Sequence, residues 1–258
     1  MKIITVRTAA LPALLLPLVF SPLSWANDEQ TLIVTAAPQT VSELDTPAAV
    51  SVVDGEEMRH AAPRVNLSES LGAVPGLQVQ NRQNYAQDLQ ISTRGFGARS
   101  AFGVRGVRLV ADGIPASMPD GQGQAATFNL DTAERIEVLR GPAATLYGSN
   151  AGGVIQMFSR DGEGPPRIGA ETLIGSDGMN KNHLTAEGAT DDVGFVLDAS
   201  RMDTDGYRDH SAARRDQTFA KLNLKPDEDS KLALIYSSLE QNGTQDPLGQ
   251  SWEAYKAD

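Results

Sequence analysis

The chain has 258 residues, no cysteine, few aromatics and a formal net charge of -11 at pH 7. That length holds one or two domains with a sizeable core, and without cysteine there is neither a disulfide framework nor a thiolate metal site. The acidic balance speaks against nucleic acid as a partner, because such a surface repels phosphate instead of releasing its counterions. Lys2 and Arg7 make a basic start, residues 9–20 are apolar with breaks at Pro12 and Pro17, and Ser24 and Ala26 offer the small residues a signal peptidase reads. Residues 1–26 are therefore expected to be an export signal. Their apolar run is shorter than the roughly 20 residues of a membrane-spanning helix.

Residues 27–40 are polar apart from Leu32, Ile33 and Val34, a β-prone triplet between Thr31 and Thr35. Two readings stay open: a frayed terminal strand, or an extended peptide that adds itself to the sheet edge of another protein. From Val41 to Asp161 the pattern is mixed α and β. Asp54 with Glu57, and Asn66 with Glu69, have the spacing of helix-capping boxes. Leu67, Leu71 and Val74 form an apolar helix face before Pro75-Gly76 stops it. Short strands are expected at 77–80, 89–93, 107–111 and 137–139, with a one- to two-turn helix between Gly141 and Gly148 and a further strand beyond. Long glycine-rich connections join them, and binding is the usual reason for such loops.

After Gly164-Pro165-Pro166 the texture changes. Ile168, Ala170, Thr172 and Ile174 occupy alternate positions, as do Val193, Phe195, Leu197 and Ala199, then Ala220, Leu222 and Leu224, then Leu232, Leu234 and Tyr236. Such alternation belongs to outer-membrane barrel strands and equally to a soluble half-buried sheet. Short turns at 191–192 and 227–230, against a long polar loop at 203–216, favour the membrane reading. Catalysis has little support: His60, His183 and His210 lie far apart in sequence, Gly95-Phe96-Gly97 lacks the lysine of a P-loop, and no Gly-x-Ser-x-Gly elbow occurs. No metal or cofactor is expected.

Five motifs follow one another in a familiar order: residues 46–53 (TPAAVSVV), 71–77 (LGAVPGL), 91–97 (ISTRGFG), 110–115 (VADGIP) and 134–142 (ERIEVLRGP), the last running on to Gly152-Gly153-Val154-Ile155. Together they resemble the plug domain of TonB-dependent outer-membrane receptors. The resemblance covers residues 27–258. It implies an extension with a TonB box at 27–40, an α+β plug with a small mixed sheet and short helices at 41–163, and at 164–258 the first about five antiparallel strands of an incomplete transmembrane β-barrel. It further implies a non-enzymatic receptor of the outer membrane, its plug facing the periplasm, that imports a scarce nutrient with energy delivered by TonB and its partners ExbB and ExbD.

Thr31, Leu32, Ile33, Val34, Thr35 and Ala36 are then the expected TonB-binding residues. Arg94 and Arg140 are expected to look toward the barrel wall and meet its glutamates through charge-assisted bonds. With most such strands absent, both should be hydrated, Glu134 and Glu137 being the candidate local partners. Ligand capture should fall to the outward loops, through Arg82, Asn84, Tyr85 and Gln87, through Arg99 and Phe102, and through Asp120 of the 118–124 loop. Residues 78–85 and that loop look like receptors associated with pyrroloquinoline quinone, a planar tricarboxylate suited to arginines and an aromatic face. A siderophore or other scarce cofactor fits the same chemistry. A soluble periplasmic binding or signalling module derived from a plug is the alternative of a different class. Because receptors of this kind close their barrels with about 22 strands, and an open sheet would expose unpaired backbone to lipid, the chain is expected to be the N-terminal piece of a longer receptor, with a separately encoded remainder as the other possibility.

Overall fold

The computed structural model describes residues 33–34, 41–42 and 48–257, apart from 62, 82, 101–102, 119, 142–143, 145–146, 149, 228 and 250–251. The expected export signal, and with it Thr31, Leu32, Thr35, Ala36, Arg82 and Phe102, lie outside the described residues. Ile33–Val34 (β1) pairs antiparallel with Val41–Ser42 (β2).

The β-branched run Ala49–Asp54 forms β3. Asp54 accepts the Glu56 amide at 2.7 Å, taking up one of the donors that a helix start leaves unpaired, and α1 (Gly55–Ala61) begins there. α2 is the single turn Ser68–Leu71. The Glu69 carboxylate reaches back to the Asn66 amide at 3.0 Å and the Val65 amide at 3.2 Å, which is the returning half of the capping box expected there. Leu67, Leu71 and Val74 are all buried, so the apolar face read from their spacing faces the core.

β4 (Leu77–Gln80) and β5 (Gln90–Thr93) form a hairpin. β6 (Val107–Ala111), β7 (Ile114–Pro115), a 3-10 turn (Ala125–Thr127), β8 (Ala133–Arg140) and β9 (Gly153–Ser159) complete the region. β3, β8, β9, β6 and β7 lie side by side in that order, β6 with β9 parallel and the other pairs antiparallel. Met58, Leu71, Ile91, Leu109, Phe128, Ile136, Ile155 and Met157 pack on one face of this mixed sheet, and Val110, Leu139, Ala144 and Val154 on the other. Burying each large side chain of this kind stabilises by about 1.5–3 kcal/mol. The helix expected between Gly141 and Gly148 falls in part on residues 142–143 and 145–146, outside the described set.

Five antiparallel strands follow in sequence order: β10 (Arg167–Ile174), β11 (Asn180–Ala189), β12 (Val193–Thr204), β13 (Ala213–Asp227) and β14 (Ser230–Glu240), then a short helix α3 (Trp252–Ala257). The chain enters this wall across the β11–β12 turn at very close range. A Cβ on Gly162 (φ +82°) would stand 2.4 Å from the Phe195 carbonyl oxygen, and one on Gly194 2.6 Å from that of Asp161, so both positions demand glycine. The loop expected at 203–216 is shorter, because β12 and β13 continue past the apolar alternation as cross-strand ion pairs, Arg201 with Asp216 and Arg214 with Asp203.

The wall is inverted relative to a soluble sheet. Ile168 (80% exposed), Leu184, Leu197, Leu234 and Tyr236 (60%) stand open on one face, whereas Lys181, Glu187, Asp198, Arg215, Gln217, Lys221 and Asn223 are buried on the other. Apolar side chains outward and polar ones inward is the arrangement of a barrel in lipid. Among the described residues no helix is long and apolar enough to cross a membrane.

Candidate functional site

The mixed sheet and the wall meet through buried charge. Asp131, just before β8, receives Arg64 Nε at 2.8 Å and Lys181 Nζ, from β11, at 2.7 Å. Lys181 also donates to the Pro63 carbonyl at 2.9 Å, and Arg64 pairs with Glu171 of β10. Beside them His183 meets Asp198, whose other oxygen accepts from Asn129 Nδ2 at 3.1 Å. Burial alone would raise the Asp131 carboxyl, but the Lys181 ammonium, with His183 and Arg64, holds it below the usual carboxylate range. Asp131, His183 and Asp198 bring ligand atoms within 4.8 Å of one another. With an ammonium and a guanidinium already seated on Asp131, the set is a compensated ion network rather than a ready cation site.

The row continues along β13. Arg215 donates to the carbonyls of Val65, at 2.8 Å, and Ala126. Gln217 donates to the Phe128 carbonyl at 3.2 Å. Lys221 reaches the Ser159 carbonyl at 3.1 Å and Asp161 at 2.7 Å. Lys231 on β14 meets the second oxygen of Asp161 at 2.6 Å. Burial works against the Asp161 anion, yet the bonds from Lys221 and Lys231 bring its pKa down to about 2. The opposite sense occurs as well: Arg160 donates to Glu187 of β11 at 2.8 Å, as Arg64 does to Glu171 and Asn129 to Asp198. Over this sector the wall supplies mostly cations and amides, and the mixed region mostly carboxylates and carbonyls.

Arg94 and Arg140 converge on Gly76, where an added Cβ would lie 3.8 Å from Arg94 Cγ and 3.9 Å from Arg140 Nη1. Arg94 is exposed. Arg140 departs from the expected hydration: it is only 7% exposed, donating to the Pro75 carbonyl and to Ser51 Oγ at 2.6 Å. Glu134 and Glu137 both meet Arg135, at 3.3 and 2.8 Å, within the mixed sheet.

The turn between β4 and β5 approaches the segment after β14, at the end of the wall opposite the short turns. There Asn84 and Gln87 both bond Asp246. The Tyr85 hydroxyl is pushed up by burial and by the nearby Glu69 carboxylate, and the Tyr85 carbonyl accepts from Gln241 at 3.1 Å. Arg99 is exposed, and Asp120 pairs with Arg105 at 2.9 Å, both side chains exposed. The structure thus ties Asn84, Tyr85 and Gln87 to the segment after β14 and leaves Arg99 and Asp120 exposed. Sequence reading missed the seating residues Arg64, Asp131, Lys181, Arg215 and Lys221. The signal available was the polar half of the β13 alternation, since Arg215, Gln217, Lys221 and Asn223 are all buried there.

Residues 42–155 match the family model described as the TonB-dependent Receptor Plug Domain. The chain is 30% identical over 244 residues to the pesticin receptor of Yersinia pestis, covering 88% of this chain and 35% of that protein. It is 29% identical over 197 residues to the ferric enterobactin receptor of Pseudomonas aeruginosa, covering 70% and 24%. Among solved structures, the pyoverdine outer membrane receptor FpvA of Pseudomonas aeruginosa PAO1 superposes with a TM-score of 0.68 at 19% identity, covering 81% of this chain and 30% of that one, a likeness of fold. The chain therefore spans about a third or less of the length of these relatives. By its plug domain and the antiparallel strands that seat it, the chain belongs to the TonB-dependent outer-membrane receptors.

Proposed function

We propose that this chain is the plug and adjoining wall of a receptor that captures a small, oxygen-rich ligand at the outer face and admits it to the periplasm when TonB, energised with ExbB and ExbD, pulls on residues 31–36. The observation that carries the reading is the inverted wall, apolar outside and holding the plug inside through polar contacts. A ferric siderophore is the leading ligand, since relatives are named for ferric enterobactin and pyoverdine. The resemblance of residues 78–85 and 118–124 to the YncD (PqqU) receptor supports pyrroloquinoline quinone as the second reading. Arg94 and Arg140, paired about Gly76, are proposed to bear on the wall sector beyond β14.

Backbone pairing supplies the affinity in strand addition, so a proline that removes an amide at Ile33 or Val34 should abolish uptake, while Ile33→Val should preserve it. The test is uptake of a labelled ferric siderophore and of pyrroloquinoline quinone by cells making the protein, with and without TonB. Uptake of one of them that is lost in the Val34→Pro variant and without TonB supports the reading. Uptake indifferent to both, or recovery of the mature protein in the soluble periplasm, contradicts it and favours a soluble module.

A further inference from the structure

The β4–β5 turn is tied to the segment after β14 through a single carboxylate. Asn84 Nδ2 donates to one oxygen of Asp246 at 2.8 Å, and Gln87 Nε2 to the other at 2.8 Å. Asn84 is itself fixed, because its own oxygen accepts the Ala86 amide at 3.0 Å. Two side-chain amides are thus held apart at the spacing of a carboxylate, one donor for each oxygen. The Leu248 amide adds a third bond at 2.9 Å, and these donors, Leu248 first, then Gln87 and Asn84, hold the Asp246 carboxyl below its ordinary range. The rest of the segment is tied to the start of β13, the Gln245 amide donating to the Ala212 carbonyl at 2.9 Å, the Ala212 amide to Gln245 Oε1 at 3.3 Å and Thr244 Oγ1 to the Arg214 carbonyl at 3.3 Å. Gln241 bonds the Tyr85 carbonyl at 3.1 Å, and Arg208 bonds the carbonyls of Pro247, at 3.1 Å, and Leu248.

We propose that the Asn84 and Gln87 amides form a carboxylate-binding subsite on the outer turn of the plug, filled in the free chain by Asp246, and that an incoming ligand carboxylate exchanges with Asp246 and loosens residues 246–248. Swapping one carboxylate for another keeps both amides bonded. A tethered carboxylate competes at an effective concentration on the order of millimolar. A simple monocarboxylate loses that competition, and a polycarboxylate with further contacts wins it. The subsite therefore selects multiply charged, carboxylate-bearing ligands. This deepens the receptor reading and rests on it.

The probes are citrate and its uncharged trimethyl ester, titrated into the full chain in detergent micelles, with hydrogen exchange followed across residues 241–249. If Asp246 fills the subsite about nine-tenths of the time, Asp246→Ala should bind citrate about tenfold more tightly than wild type, with the ester binding neither. Citrate should accelerate exchange at the Leu248 amide in wild type. Adding Asn84→Ala and Gln87→Ala to Asp246→Ala should remove the gain. Equal citrate affinity in wild type and Asp246→Ala, absence of citrate binding to Asp246→Ala, a gain that survives loss of both amides, or binding of the ester overturns the subsite. Failure of the receptor reading is separately visible: TonB-independent uptake alongside the expected citrate shifts removes the receptor and keeps the subsite, while TonB-dependent uptake alongside unchanged citrate affinity does the reverse.

Discussion

The mixed sheet and the strand wall follow opposite rules within one chain. In the plug, Leu71, Ile136 and Ile155 are fully buried, and its stability is that of a water-soluble domain, apolar area removed from water. In the wall, Ile168 and Tyr236 stand open while Lys181, Arg215 and Lys221 are enclosed, so water is not the solvent its outer face is built for. The difference teaches that the plug is seated mainly by polar contacts, since the buried apolar residues of the wall, Val196, Met202 and Phe219, belong to neither apolar cluster of the plug. Polar contacts can be exchanged for water one at a time, which fits the loosening under force proposed above.

The seat should give the largest response. Replacing Lys181 by Met leaves Asp131 with one of its two cations, and breaking a buried pair in this way costs about 3–5 kcal/mol. A Lys181→Met, Asp131→Asn double variant should recover part of that loss, and denaturant unfolding of both checks the coupling. Next comes the outer face: Leu197→Arg should cost about 2–4 kcal/mol if the side chain lies near the bilayer midplane, measured as folding into lipid vesicles. A cost that vanishes would mean that this face meets water.

Acid probes the periplasmic end more gently. The Asp161 pKa is lowered in the folded chain, so its contribution is complete above about pH 4 and is lost as the pH falls through about 2. Asp161→Asn should remove that part of the acid transition, visible as a shallower loss of exchange protection at residues 159–163. The smallest effect is expected at the exposed end of the wall. Arg201 pairs with Asp216 in the open, and such surface pairs contribute little, so Arg201→Ala should unfold in denaturant as wild type does.

How far the sequence spoke depended on whether the signal was local. Strands 77–80 and 107–111 emerge with the expected bounds, and the Leu67, Leu71 and Val74 face is buried as its spacing requires. β11 went unnoticed as an alternating strand because Asn180 and Asn182 share the outward register with Leu184 and Ala186, which breaks the apolar rhythm. The ends of β12 and β13 were read as loop for the same reason, since Arg201, Asp203, Arg214 and Asp216 put charge on the outward face. The seat was illegible for a different cause. Lys181 and Asp131 are brought together only when the wall folds over the plug, and nothing in either local pattern names the other. At the outer turn, Asn84 and Gln87 were visible as candidate donors, but their partner Asp246 could not be read from any spacing.

The central claim is that the outer face of β10–β14 contacts lipid while the inner face holds the plug. Spin labels placed singly at Leu197, Leu234 and Gln217, in outer membranes of cells making the protein, test it through relaxation by oxygen, which partitions into lipid, and by a water-soluble nickel chelate. The account predicts strong oxygen relaxation with no nickel effect at Leu197 and Leu234, and an immobile label shielded from both at Gln217. Nickel-accessible labels at Leu197 and Leu234 would contradict it.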